Sequence, residues 1–273
     1  MVPASLSGAR PRLVATDLDG TLLHADGTVT DRTRAVLDEL DERGVPVVFT
    51  TGRPVRWMEQ LWDAVGGHGL AICSNGGIVY DVAERRVRDF SAVPRAVGLE
   101  VADLVRAAVP GTTFAIEHTS GWAREDGFPR HPDDTETVHE GPWESIYVDD
   151  VVKVLVVHRD LDPEEFWRRV DAAVGELVTT TWSSTFALVE ISAAGVTKAT
   201  TLERIATELG VGREDVVAFG DMPNDLPMLE WAGLSYAMEN AHDSVRDLAD
   251  HLAPPNDEDG VATVLADLFG LDR

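Results

Sequence analysis

Two carboxylates one residue apart, Asp17 and Asp19, close an apolar run in the segment Asp17-Leu18-Asp19-Gly20-Thr21. Side chains along a strand alternate, so i and i+2 lie on the same side. Carboxylates at a strand's carboxyl end can hold a hard cation and still leave an oxygen free to attack. Gly20 lets the chain turn sharply directly afterwards. Asp-Gly after an apolar run is also a hairpin signal, so the pentapeptide alone fits a surface turn equally well.

Three further loops carry groups of complementary kinds. Thr51-Gly52-Arg53 offers a hydroxyl and backbone N–H groups. Lys198 follows Gly195-Val196-Thr197. Asp221, Asn224 and Asp225 lie in Gly220-Asp221-Met222-Pro223-Asn224-Asp225. Taken singly, Thr51 reads as a helix cap, Lys198 as a solvated helix residue and the acids as turn residues. Together the four loops supply a nucleophilic carboxylate, carboxylates for a divalent ion, a hydroxyl, an amide and an ammonium. Phosphoryl transfer needs that set, because its catalysis is positioning plus neutralisation of the phosphoryl oxygens. Lysine occurs only twice, as Lys153 and Lys198, whereas arginine is plentiful. A lysine in such a chain suits a site that needs a compact point charge.

The elements that would position these groups are legible from apolar runs and their punctuation. Leu13 to Thr16 reads as a buried strand. Thr30 can cap a helix whose apolar face is Val36, Leu37 and Leu40, and Gly44 ends it. Val45 to Phe49 and Leu70 to Cys73 read as two more strands, and Pro54 can open a helix between them. This is β-α-β-α-β with short links, which implies a parallel sheet covered by helices. In such sheets ligands bind at the carboxyl ends of the strands. From Ile78 the rhythm changes to hairpins, two helices and strands, with a polar stretch from Asp126 to Glu144. That insertion, of roughly a hundred residues, is large enough to be a domain. The first rhythm returns at Ile191, with a helix opening at Lys198, a strand at Val216 to Phe219, a further short strand at Leu234 to Met238 and a final amphipathic helix. The expected fold is α/β: a Rossmann-like parallel-sheet core over 1–82 and 190–273, with an inserted α+β cap over 83–189.

Composition narrows the partners. The formal charge of −25 opposes nucleic-acid and anionic-membrane surfaces. No run reaches membrane-spanning length, and the first twelve residues lack a signal-peptide core. The single cysteine, Cys73, excludes an intrachain disulfide and suits a reducing, cytoplasmic setting. Preceding Ser74-Asn75-Gly76, it reads as a small buried residue.

The four loops, in order, resemble the motifs of the haloacid dehalogenase (HAD) superfamily of aspartate-nucleophile phosphatases, in particular its Cof-type members. Ala237 to Ala241 and Asp257 to Ala262 are similar to that family's C-terminal signatures, and the insertion is similar to its C2-type cap. The likeness covers roughly 10–82 and 190–270, and departs mildly at Met222-Pro223, where many relatives have glycine plus a variable residue.

The resemblance implies a Mg²⁺-dependent phosphomonoester hydrolase. Asp17 would be the nucleophile and Asp19 the acid–base. The metal would be held by Asp17, by Asp19 through its main-chain carbonyl and by Asp221. Thr51, Gly52, Lys198 and Asn224 would bind the phosphate. Asp225 is expected to orient metal-bound water or Lys198. The implied substrate is a small phosphorylated metabolite, a sugar phosphate first, then nucleotides or phosphorylated cofactors. In the insertion, His118, Trp122, Arg124, Glu125, His131 and Lys153 are candidate substrate contacts, although an ordinary structural role is favoured for each. A sugar phosphomutase would use the same parts. A non-catalytic phosphosugar-binding module would not need Asp19 or a large insertion. No G-x-G-x-x-G follows the first strand and no P-loop motif is present. A carboxylate-pair glycosidase would leave Lys198 and the Asp221 loop without a role. The sequence leaves the oligomeric state open.

Overall fold

The computed structural model describes residues 10–59, 61–63, 65–129 and 138–271, and resolves them into two units, 1–88 with 198–273, and 89–197. The chain starts in the first unit with β1 (Leu13–Asp17), α1 (Asp31–Glu42), β2 (Val47–Thr50), β3 (Leu70–Cys73), β4 (Ile78–Asp81) and β5 (Arg86–Phe90). The second unit contributes α2 (Arg95–Ala108), β6 (Thr113–His118), β7 (Gly121–Arg124), β8 (His139–Glu140), α3 (Trp143–Ile146), β9 (Val151–Val157), α4 (Pro163–Val174), β10 (Val178–Thr181) and β11 (Leu188–Ala193). The first unit resumes with α5 (Lys198–Glu208), β12 (Val216–Gly220), α6 (Leu226–Trp231), β13 (Leu234–Met238), α7 (Asp243–Leu248), β14 (His251–Ala253) and α8 (Gly260–Phe269).

In the first unit the sheet order is β14-β13-β12-β1-β2-β3-β4-β5 among the described residues. β1 pairs in parallel with both β2 and β12, and β13 and β14 extend that side in parallel. β3 adds to β2 in parallel, while β4 returns antiparallel beside it. From β1 the chain winds outward through β2 and β3, then comes back to build the other half from β12. The strand order therefore reverses beside β1, and the crevice at the carboxyl ends of β1, β2 and β12 is where such a sheet binds ligands. β1, β2 and β12 are buried throughout, as strands covered on both faces must be. α1 starts where Thr30 accepts from the Thr33 N–H at 3.1 Å, and buries Val36, Leu37 and Leu40.

Pro54 does not open an α-helix. Among the described residues, Val55–Trp57 is a short 3₁₀ turn, followed by further turns that bury Met58, Leu61, Trp62 and Val65. The Trp57, Met58 and Leu61 N–H groups each bond three residues back, whereas those of Trp62 and Val65 bond four back, so the stretch is a run of mixed turns and not one regular helix. Trp62 stacks on Tyr80 of β4 with ring centroids 5.2 Å apart.

The second unit has its own sheet, in the order β10-β11-β9-β6-β7-β8. Val101 and Val105 of α2 and Phe166 and Val170 of α4 share one apolar core with Phe114, Ile116, Val154, Val156, Val189 and Ile191 of the strands. The division falls at 88/89 and 197/198 rather than at 82/83 and 189/190. Two pairings explain the difference: β5 continues the first unit's sheet, and β11 pairs with β9 and β10 in the second.

Among the candidate contacts in this unit, each described side chain has a partner within it. The Lys153 ammonium lies 2.8 Å from Glu190 and 3.1 Å from Glu117. Burial opposes its charge, but those two carboxylates more than offset this and raise its pKa. Arg124 pairs with Glu140 and sits over the Trp122 ring. Glu125 accepts from the Phe114 N–H at 3.0 Å and pairs with Arg106, while His118 bonds Ser120. His131 lies outside the described residues. No helix among the described residues is long and apolar enough to cross a membrane.

Candidate active site

The site is built on the strand ends of the first unit. Asp17 is the last residue of β1 and is buried. After it the chain makes one wide turn of π type, Leu18–Leu22, in which Gly20 adopts φ +74°. Two things require glycine there. The left-handed backbone disfavours a side chain, and a Cβ at Gly20 would lie 2.3 Å from Asp221 Oδ2. Gly20→Ala should therefore displace Asp221 and strain the turn by about 1–2 kcal/mol. Thermal melting checks this, and an unchanged Tm in the variant would contradict it.

Lys198 opens α5 and is 1% exposed. Its ammonium donates to Asp17 Oδ1 and, at 2.6 Å, to Asp225 Oδ1. The other oxygen of Asp225 accepts from the N–H groups of Asp221 at 3.0 Å and Met222 at 3.2 Å, so Asp225 closes its own loop while holding Lys198. Asp221 Oδ1 accepts from the Thr21 hydroxyl at 2.9 Å. Asp17, Asp221 and Asp225 each place an oxygen within 4.8 Å of the others. Asp19 stands apart from this group. Its side chain is half-exposed and is gripped by Arg53, through Nη2 and, at 2.8 Å, through Nε.

Thr51 follows β2, and its hydroxyl oxygen accepts from the Arg53 N–H at 2.9 Å, leaving the hydroxyl hydrogen to donate. Gly52 lies between them in the turn. Asn224 Nδ2 donates to Asn75 Oδ1 at 3.1 Å. The structure thus brings Asp17, Lys198, Asp221 and Asp225 into one buried cluster and sets the Asp19 carboxylate on Arg53.

Electrostatics shows what the cluster lacks. Burial pushes the Asp17 carboxyl well up; Lys198 opposes this, while Asp225, Asp221 and Asp19 add to it. Asp221 is pushed up to about 7, first by burial and then by Asp225. The Lys198 ammonium is in hydrogen-bond contact with two of the three clustered carboxylates, Asp17 and Asp225, and an all-oxygen donor set short of positive charge suits a hard divalent cation such as Mg²⁺. In the metal-free protein a raised carboxyl has a definite consequence. Between about pH 4 and 7 the folded state keeps protons that the unfolded chain has released, so stability falls as pH rises through that window. Melting in EDTA should therefore weaken from about pH 5 to pH 8, and Asp221→Asn should flatten that trend. A Tm that does not fall over that window would count against this electrostatic account.

The sequence reading noted the C-terminal signatures but assigned no role to the residues in and beside them that brace the turn. Asn240 Nδ2 donates to the Gly20 carbonyl at 2.8 Å, and its Oδ1 accepts from the Asn256 N–H at 3.0 Å. Asn256 Nδ2 donates to the Leu23 carbonyl at 2.8 Å. Asp257 accepts from the Ala25 N–H at 2.8 Å, and Asp259 accepts from Thr30 at 2.8 Å and lies 3.0 Å from His24 Nε2. The C-terminal signatures thus clamp the segment after β1. Asparagine followed by a helix start was the available signal, but it does not disclose which distant carbonyls are met. Asn75 was likewise passed over, within a segment read only as the end of a strand.

A parallel sheet with an acidic cluster and a buried lysine at its switch point, in a chain with a separate α+β unit, is the arrangement of an α/β enzyme suited to phosphoryl transfer. The model of the haloacid dehalogenase-like hydrolases matches residues 14–265, and the chain belongs to that family. It is similar to a 5-amino-6-(5-phospho-D-ribitylamino)uracil phosphatase, YitU, of Bacillus subtilis, at 29% identity over 96% of this chain and 99% of that one. It is 31% identical to a phosphoglycolate phosphatase of Halorubrum lacusprofundi, over 93% and 96% of the two chains. In fold it matches the crystal structure of SMU.1108c from Streptococcus mutans, with a TM-score of 0.84 and 21% identity over 95% and 99%. The chain is accordingly a Cof-type phosphatase of the family, with the Rossmann-like core expected from its sequence.

Proposed function

We propose that the chain is a Mg²⁺-dependent phosphomonoester hydrolase that works through an aspartyl-phosphate on Asp17. The observation that carries this reading is the Lys198 ammonium joining Asp17 to Asp225 beside Asp221. In the first step an Asp17 oxygen attacks phosphorus, the bond to the leaving oxygen breaks, and Asp19 gives that oxygen a proton. In the second, Asp19 takes a proton from water, which attacks phosphorus and frees Asp17. Lys198, Thr51, the Gly52 turn and Asn224 hold the phosphoryl oxygens, and Asp225 holds Lys198 in place. Asp17, Asp221 and the Asp19 carbonyl are the groups that would bind Mg²⁺, which would supply positive charge to the phosphoryl oxygens and offset the carboxylate surplus. Burial of Asp17, Thr51, Lys198, Asp221 and Asn224 strengthens the interactions these groups make.

The substrate is a small phosphorylated metabolite, for which we place a sugar phosphate first. The ribityl phosphate in the name of the Bacillus subtilis relative supports a polyhydroxylated leaving group. We assign choice of leaving group to the second unit, and set the reaction in the cytoplasm, where the lone buried Cys73 would stay reduced. The test is phosphate release from p-nitrophenyl phosphate and a panel of sugar and sugar-alcohol phosphates, with Mg²⁺ or with EDTA. Metal-dependent release supports the reading. Turnover that requires a sugar bisphosphate would point to a mutase, and silence with every ester would overturn the hydrolase.

A further inference from the structure

The loop after β3 is held in a conformation that side chains rarely adopt. Ser74, Asn75 and Gly76 have φ of 51°, 56° and 112°, three positive values in succession. Such a loop persists only where its surroundings over-determine it, and strain of this kind collects at functional sites. Here the surroundings are the proposed phosphate-binding segments. The Ser74 N–H donates to the Arg53 carbonyl and the Asn75 N–H to the Thr51 carbonyl, each at 3.0 Å. Thr201, one turn along α5 from Lys198, donates its hydroxyl to the Gly76 carbonyl at 3.0 Å. The Asn75 side chain, in a residue 2% exposed, accepts from Asn224 Nδ2 at 3.1 Å. The loop therefore touches the Thr51 turn, the Lys198 helix and Asn224 together.

Asn224 shows what that contact does. Its amide has two N–H donors and one carbonyl oxygen. One hydrogen goes to Asn75, and Oδ1 is buried with no hydrogen-bond partner among the described residues. A buried amide with an unmet oxygen is costly, and the hydrogen bond to Asn75 orients it.

We propose that Asn75 is a positioning residue for phosphoryl recognition: its side-chain carbonyl sets the orientation of the Asn224 amide, so that the second Nδ2 hydrogen is presented to a phosphoryl oxygen, while its backbone N–H holds the Thr51 turn. This deepens the phosphatase reading and rests on it. The competing account is purely conformational, with asparagine present because it tolerates a left-handed backbone. Glycine separates the two, since it satisfies the backbone better than asparagine and removes the amide.

The experiment measures kcat, KM, the Ki for inorganic phosphate in Mg²⁺, and the Tm for wild type, Asn75→Gly, Asn75→Ala, Asn224→Ala and the Asn75→Gly/Asn224→Ala double variant. Asn75→Gly is expected to melt within a few degrees of wild type, to bind phosphate about tenfold more weakly and to lose about 10–100-fold in kcat/KM. On the Asn224→Ala background it should cost nothing further, because the two act as a unit. Asn75→Ala should show the same loss together with a lower Tm. An Asn75→Gly enzyme with wild-type Ki and kcat/KM overturns the proposal and leaves the phosphatase reading standing, as do losses that multiply in the double variant. A wild type that neither hydrolyses esters nor binds phosphate overturns both.

Discussion

Asp17→Asn is expected to abolish turnover, by roughly 10⁵–10⁶-fold, and to leave the protein folded and more stable without metal. The loss follows from chemistry: an amide oxygen is not a nucleophile, and removing a covalent nucleophile costs about that much even when binding survives. The stability gain follows from the site's charge. Asp17 is buried, and its carboxyl is pushed up because burial, Asp225, Asp221 and Asp19 outweigh the help from Lys198. Asparagine removes that opposed charge with almost no change of shape, and Lys198 keeps its 2.6 Å bond to Asp225. Melting in EDTA at pH 8 should therefore show a higher Tm for the variant, the usual trade of stability against activity at a strained site. Phosphate release within tenfold of wild type would remove Asp17 from the chemistry. A lower Tm would contradict the electrostatic description.

Lys198→Met carries the second large effect, and it reaches both stability and rate. Removing the buried ammonium leaves Asp17 and Asp225 without it, and breaking a buried pair from one side costs about 3–5 kcal/mol. The pH dependence can be assigned. Lys198 itself is raised above its ordinary value; burial opposes its charge, but Asp17 and Asp225 more than offset that. Lys198 therefore stays protonated at any pH below about 10, and its own titration adds no pH dependence between pH 5 and 8. The variation comes from the acids, which take up protons as pH falls and so relieve the repulsion. Urea unfolding in EDTA should thus show a larger penalty for Lys198→Met at pH 8 than at pH 5, with part of it recovered in Lys198→Met/Asp17→Asn. With Mg²⁺, turnover should fall about 10²–10³-fold, the scale of losing one charged donor to a developing anion. A pH-independent penalty below 1 kcal/mol would mean that the cluster is not short of positive charge.

Much of this site was legible before any coordinates, for identifiable reasons. β1, β2, β3 and β12 are short apolar runs ending in small or polar residues, and a parallel sheet buried on both faces writes that pattern directly. Gly20 and Gly195 mark turns that other residues would strain. Lys198 stood out because lysine is so scarce here. What stayed hidden depends on partners far apart in sequence. Arg53 stands beside Gly52 in the sequence, but its grip on Asp19 spans 34 positions and is set by how the β2 turn meets the turn after β1. Asn75 and Asn224 are 149 residues apart, and Asn240 meets the Gly20 carbonyl across 220. The stretch after Pro54 has helical apolar spacing, yet it forms a 3₁₀ turn and a series of mixed turns, since spacing records which side chains are buried rather than which carbonyl each N–H reaches. β14, three residues long, carries too little pattern to be read as a strand.

The central claim, that Asp17 becomes phosphorylated during turnover, can be read directly. Wild-type protein turning over its best ester in Mg²⁺ would be quenched in acid, reduced with borohydride and digested with trypsin. An aspartyl-phosphate is reduced to homoserine, which mass spectrometry locates within the peptide Leu13 to Arg32. The mechanism predicts homoserine at position 17, none at 19, and none in either EDTA or Asp17→Asn. Homoserine at 19, or its absence from an enzyme that is releasing phosphate, would contradict it.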